Sequence, residues 1–256
     1  MSLGPIVPGG GFALKIVLSV VALLAGLSCA AAQELTIPAA TYPALPRQAA
    51  SAEGFVPPGW QLEAQAKGDL NGDGAADLAL VLQATDPKNV VANPDGLGVD
   101  KLDTNPRILA VAFARNPGYE LVLENHALIP RRTDPVMDDP FDSVAASGLE
   151  VARGTLRLRL GVFASAGSWS MSTIATTFRW QNGRFELIGY DRTETNRGSG
   201  EIEGLSINYL TRRAKRSQGT IESDAEKSRW ETLPRAPLLS LDEVGDGLEF
   251  DPDSRR

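Results

Sequence analysis

The chain holds one histidine and one cysteine among its 256 residues. With His126 as the sole imidazole, a zinc site built on several histidines is excluded, and a Ser-His-Asp arrangement has one base to draw on. Cys29 follows an apolar stretch near the start, so loss of that stretch leaves neither thiol chemistry nor disulfides. Positive charge is also short. Lys and Arg number 25 against 32 Asp and Glu, a net charge of −7, which argues against general nucleic-acid binding because that rests on neutralising phosphates. No phosphate-binding glycine motif lies between a strand and a helix. Beyond Leu27 no hydrophobic run approaches the roughly 20 residues of a membrane span.

The apolar run that is present, "IVLSVVALLAGL", follows Lys15 and precedes the small residues "SCAAAQ". A positive start, a short apolar stretch and an Ala-x-Ala site have the form of a secretory signal. Residues 1–32 are therefore read as a signal peptide cleaved after Ala32, and the mature protein as periplasmic or secreted. An uncleaved anchor is the competing reading. Gly26 stands where a lipoprotein signal wants an aliphatic residue, which argues against lipidation of Cys29. A mature chain without disulfides fits an exported bacterial protein.

Residues 33–58 are rich in Ala and Pro and read as a linker or draped arm. Residues 59–218 carry the signals of strands. "DLALVLQA" (Asp77–Ala84) is continuously apolar, as for a strand covered on both faces. "RILAVAFA" and "YELVLENH" flank the turn "RNPG". In "TLRLRLG" leucines alternate with arginines, so one face is core and the other wet. Asn182-Gly183 sits between two β-rich runs and supplies the positive φ values of a type I′ hairpin. The fold expected is all-β and mainly antiparallel, a sandwich or a partial, irregular propeller with long loops. Thr85–Asn105 and Pro130–Ser143 are the long loops. Residues 219–256 are expected to form an acidic, partly disordered tail, since the last sixteen carry six acids against two arginines.

One stretch has sharp chemistry: "GDLNGDGAADLALVL", Gly68–Leu82. Counted from Asp69, acceptor side chains fall at positions 1, 3, 5 and 9, namely Asp69, Asn71, Asp73 and Asp77. Gly74 occupies position 6, and Ala75 at position 7 would offer its carbonyl. This is the spacing of an oxygen-ligand calcium loop, in which alternate residues of a tight turn converge on the ion. A plain turn capped by Asp and Asn is the competing reading. Position 12 is Leu80 and no amphipathic helix follows, so the stretch is not a complete EF-hand. Affinity is expected at the weak, extracellular end, about 10⁻⁴ to 10⁻³ M, with a structural role.

The D-x-N-x-D-G-x-x-D pattern entering a strand resembles the calcium loop of FG-GAP repeats, and its first half resembles a dockerin loop. With "FVPPGWQLEAQAK" before it and "NPRILAVAF", "DDPF" and "TTFRWQNGRFELIGYDR" after it, the order over residues 55–216 resembles an uncharacterised family of exported bacterial proteins. The resemblance implies an all-β extracytoplasmic domain with one acidic loop and no assigned activity. One loop, where FG-GAP propellers carry several, argues against a regular propeller.

The leading functional expectation is a non-catalytic binding or envelope-associated module, with an envelope protein or a glycan as partner. One alternative is a hydrolase using paired carboxylates among Asp138, Asp139 and Asp142. Another is an inhibitor or partner of a periplasmic enzyme. "RRAKR" (Arg212–Arg216) is weighed as an anion contact against a charge-protected edge strand. Trp169, Trp180 and Tyr190 are weighed as a sugar-binding platform against core packing.

Overall fold

A computed structural model of the protein describes residues 35–142 and 148–253. The signal sequence expected over residues 1–32, with Cys29, lies outside the described residues, as do the last three residues. The described residues group as one compact unit. The fold is all-β, with every strand pairing antiparallel and the larger sheet curling into a half-barrel. Among the described residues no helix is long and apolar enough to cross a membrane.

The smaller sheet has the order β1(Gln48–Ala49), β7(Tyr119–Asn125), β6(Arg107–Ala114), β3(Asp77–Ala84), β2(Trp60–Gly68). The larger runs β14(Ser223–Thr232), β13(Arg213–Thr220), β12(Glu201–Asn208), β11(Arg184–Asn196), β10(Ser170–Gln181), β9(Thr155–Phe163), β8(Leu149–Ala152). The continuous apolar runs of β3 and β6 now have their cause, because both faces of the two central strands are covered. Ala79, Val81, Leu109, Val111 and Phe113 enter the core shared with the larger sheet. Leu78, Leu80, Leu82, Ile108 and Ala112 form a second core on the opposite face.

That second core is closed by the segment expected to be a linker or arm. Leu45, Ala52 and Phe55 are buried in it, and β1 extends the sheet beside β7. Arg131 ties down the start of the arm, donating from Nη1 to the Pro38 carbonyl at 2.8 Å and from Nε to the Thr104 carbonyl at 2.6 Å. Ala and Pro give no period to detect in sequence. A few large apolar side chains suffice to dock the segment, each contributing about 1.5–3 kcal/mol when fully buried.

Residues 219–253 also differ from expectation. They continue the larger sheet as β14, and a short helix, α1(Leu241–Val244), follows. Ser240 and Glu243 cap that helix reciprocally. Leu241 and Val244 are buried, with Leu238, Leu239, Leu248 and Phe250 against the same core. Acidic residues interleave these apolar ones, so average composition conceals the docking face. The 85–105 segment contains its own small sheet, β4(Val90–Ala92) with β5(Lys101–Asp103).

The hairpin turns match their sequence signals. Asn182 and Gly183 have φ of 56° and 75°, as a type I′ turn needs. The buried Glu186 closes this hairpin by accepting from Gln181 Nε2 at 2.6 Å, Arg184 Nε at 3.0 Å and Asn182 Nδ2 at 3.3 Å. Burial works to raise its pKa, but these donors outweigh it and hold the carboxyl below the ordinary glutamate range. A depressed folded-state pKa gives stability that is present above the unfolded value and lost as pH falls through the folded one. The urea midpoint should therefore fall on acidification below the ordinary glutamate range. Glu186→Gln should lower the midpoint at pH 7 and lessen its acid dependence.

Candidate metal centre

The acidic loop joins β2 to β3, two adjacent antiparallel strands of the smaller sheet. Gly72 and Gly74 take φ of 83° and 84°, which a side chain would resist, so the chain winds tightly enough to bring alternate residues inward. Asp69 accepts from Gly72 N–H with Oδ1 at 2.7 Å and from Gly74 N–H with Oδ2 at 2.9 Å. Asn71 Oδ1 accepts from Asp73 N–H at 2.9 Å. Asp73 accepts from Ala75 N–H at 2.8 Å and from the Asn71 amide at 3.0 Å. Those two donors, the backbone one first, hold the Asp73 carboxyl below the ordinary aspartate range.

Asp77 differs from the other three. It is fully buried at the first position of β3. Its Oδ2 accepts from Leu70 N–H and its Oδ1 from Ala114 N–H, both at 2.8 Å. It thus clamps the front of the loop to the end of β6. The sequence places Asp77 among ligands, and the structure adds an anchoring role that the spacing does not reveal.

Among the described residues no group of three His, Cys, Asp or Glu side chains is gathered as a metal-holding cluster. The fit of a calcium ion therefore depends on mixed oxygen donors. Each carboxylate oxygen has two lone pairs; loop N–H groups take one from each oxygen of Asp69, and Leu70 of the loop and Ala114 of β6 take one from each oxygen of Asp77. The Asn71 amide oxygen and the Ala75 carbonyl are neutral donors of the kind calcium accepts. Among the described residues, none of Asp69, Asp73 and Asp77 has an ion-pair partner. Three carboxylates within nine residues, one of them buried, are thus compensated by amide dipoles and by the more distant charge of Arg115 on Asp73.

The other sequence candidates take structural positions. Asp139 accepts from Arg107 Nη1 at 2.9 Å and caps the backbone at Phe141 and Asp142, so its carboxylate is engaged within the fold. His126 stacks on Tyr42, centroids 4.0 Å apart, and meets Glu124 at 2.9 Å. It pins the N-terminal arm. Trp180 packs edge-on against Phe113, and Tyr190, 1% exposed, packs against Phe250. Only Trp169 of the three faces solvent, at 70% exposure, so the aromatic platform is not formed. Of the Arg212–Arg216 cluster, Arg212 lies in the turn before β13 and residues 213–216 lie on β13 itself, which is not an edge but sits between β12 and β14. There Arg213 stacks on Trp230 at 4.4 Å, Lys215 pairs with Glu226 at 2.5 Å, and Arg216 pairs with Asp253 at 2.6 Å.

Comparison of the chain with protein-family models, with curated proteins and with solved structures returned no match.

Proposed function

We propose that the protein is an exported, non-catalytic β module whose Asp69–Asp77 loop holds a structural calcium ion, and that it serves as a binding or envelope-associated component. The observation that supports the ion is the unpaired negative charge of the loop. Asp69, Asp73 and the buried Asp77 fall within nine residues, and among the described residues none of them has an ion pair; Asn71 and Ala75 add neutral oxygens to the same loop. A divalent cation would offset that charge, and the lone pairs of Asp69 and Asp73 that their backbone and amide donors leave over would be its ligands. The resemblance to FG-GAP loops and to exported bacterial proteins supports the same reading. The engagement of Asp139 with Arg107 favours the non-catalytic module over a hydrolase built on Asp138–Asp142.

The ion would fix the entry to β3, one of the two central strands on which both cores rest. With a dissociation constant of about 10⁻⁴ to 10⁻³ M, calcium at ten to a hundred times that concentration should add about 1.4–2.7 kcal/mol of stability. Thermal unfolding in calcium and in chelator measures this directly. The melting temperature should rise with calcium, and Asp69→Asn with Asp73→Asn should abolish the rise. Equal melting temperatures in calcium and chelator would overturn the structural ion. The envelope role is tested separately by co-purification from the cell envelope, where a stoichiometric partner should accompany the protein.

A further inference from the structure

We infer that the outer face of the larger sheet carries a binding site for a phosphate or sulfate ester, in the basin bounded by Arg153, Arg157 and Arg179. Leu156, Leu158 and Leu160 of β9 point into the core, so Arg157 lies on the opposite face. The register sets Glu150, Arg157 and Thr177 in one cross-strand row, and Ala152, Thr155 and Arg179 in the next. Arg153 stands at the β8–β9 turn with φ of 53°. The resulting basin has a volume of about 390 Å³.

Its floor is made of small side chains. Ala152, Thr155 and Thr177 lie between the arginines, and beyond Thr177 the next strand offers Gly189, where a Cβ would stand 3.4 Å from the Thr177 Cβ. Three long side chains from separate positions thus rim a floor that no side chain fills.

The guanidinium groups are under-used. Arg157 donates to Asp191 from Nη2 at 3.1 Å, while its Nε is turned from solvent without a partner among the described residues. A shielded donor without an acceptor is costly and uncommon in folded proteins. Among the described residues Arg153 and Arg179 form no ion pair, and neither does Glu150, the one carboxylate on the rim. A solvated arginine face needs neither the open floor nor the orphan Nε. Planar forks around a small-residue floor suit a tetrahedral oxyanion, whose oxygens take paired N–H donors. The Thr177 hydroxyl is a further donor beside them. Glu150 sits where it would accept from a hydroxyl on the body of an ester.

The test uses the full chain, titrated with inorganic phosphate at constant ionic strength with chloride as the control. The Nε–Hε resonance of Arg157 is followed by NMR. A saturable shift with a midpoint on the order of 1–10 mM is expected. Arg179→Gln should raise that midpoint about tenfold, and Arg153→Asn, which tolerates the positive φ, should raise it less. Circular dichroism confirms that each variant is folded. Glucose 1-phosphate and vesicles of phosphatidylglycerol separate the sources: competition by the sugar ester assigns a soluble ligand, and vesicle binding lost in Arg179→Gln assigns a lipid headgroup. A shift that never saturates, or one that Arg179→Gln leaves unchanged, would overturn the site.

Discussion

Replacing Arg107 by alanine should destabilise the protein by about 3–5 kcal/mol, the cost of leaving buried charges without their partner. The Arg107 side chain is 2% exposed at the start of β6. Nε and Nη2 grip both oxygens of Glu63 at 2.6 Å, and Nη1 reaches Asp139 at 2.9 Å. Burial works to lower the pKa of the guanidinium, yet the two carboxylates more than offset it and raise the pKa, so the group stays charged. Without the guanidinium, two largely shielded carboxylates face each other with no cation. The Phe141 ring also loses the cation at 5.7 Å from its centre. Urea unfolding of Arg107→Ala and Arg107→Met at pH 7 measures the loss. Both should lose several kcal/mol, since methionine restores volume but not charge. A change below about 1 kcal/mol would mean that the triad is solvated like an ordinary surface pair.

This triad is built from residues that no local pattern connects. Glu63 is the residue that a β-bulge inserts between Leu62 and Ala64, so it has no partner on β3. The bulge frees its carboxylate to reach across β3 to β6. Nothing in "WQLEAQAKG" announces a bulge, and the partners lie 44 and 32 residues from Arg107 in sequence. Local patterns have no access to such pairings. Where the determinant is local, the sequence is informative: the Asn182-Gly183 turn, the alternating β9 and the two-sided apolar β3 are as their residues suggest. β14 is the opposite case. Nine of its ten residues are exposed and polar texture dominates, so only pairing with β13 defines it. Trp180 and Tyr190 carry the same ambiguity. Aromatic residues on a strand have one appearance whether they face solvent or a second sheet, and here Tyr190 is buried in the core and Trp180 packs partly buried against it.

Asp77 carries the second large effect, and its removal separates anchoring from ion binding. Asp77→Ala should cost about 2–6 kcal/mol, because the buried N–H of Leu70 and the part-buried N–H of Ala114 each lose an acceptor at about 1–3 kcal/mol apiece. Asp77→Asn should also be costly, since its amide nitrogen would face an N–H that itself needs an acceptor. The decisive comparison is the same measurement in chelator. An aspartate acting solely through calcium would lose its importance there, and the variant would equal the parent. An aspartate that clamps Leu70 to the end of β6 keeps its cost in chelator undiminished. The clamp predicts that most of the loss persists, whereas Asp69→Asn and Asp73→Asn should match the parent more closely once calcium is withdrawn. Two roles would then divide within nine residues: the acceptors at the front of the loop would respond to calcium, and the buried carboxylate at its end would hold the strands together in calcium and in chelator alike.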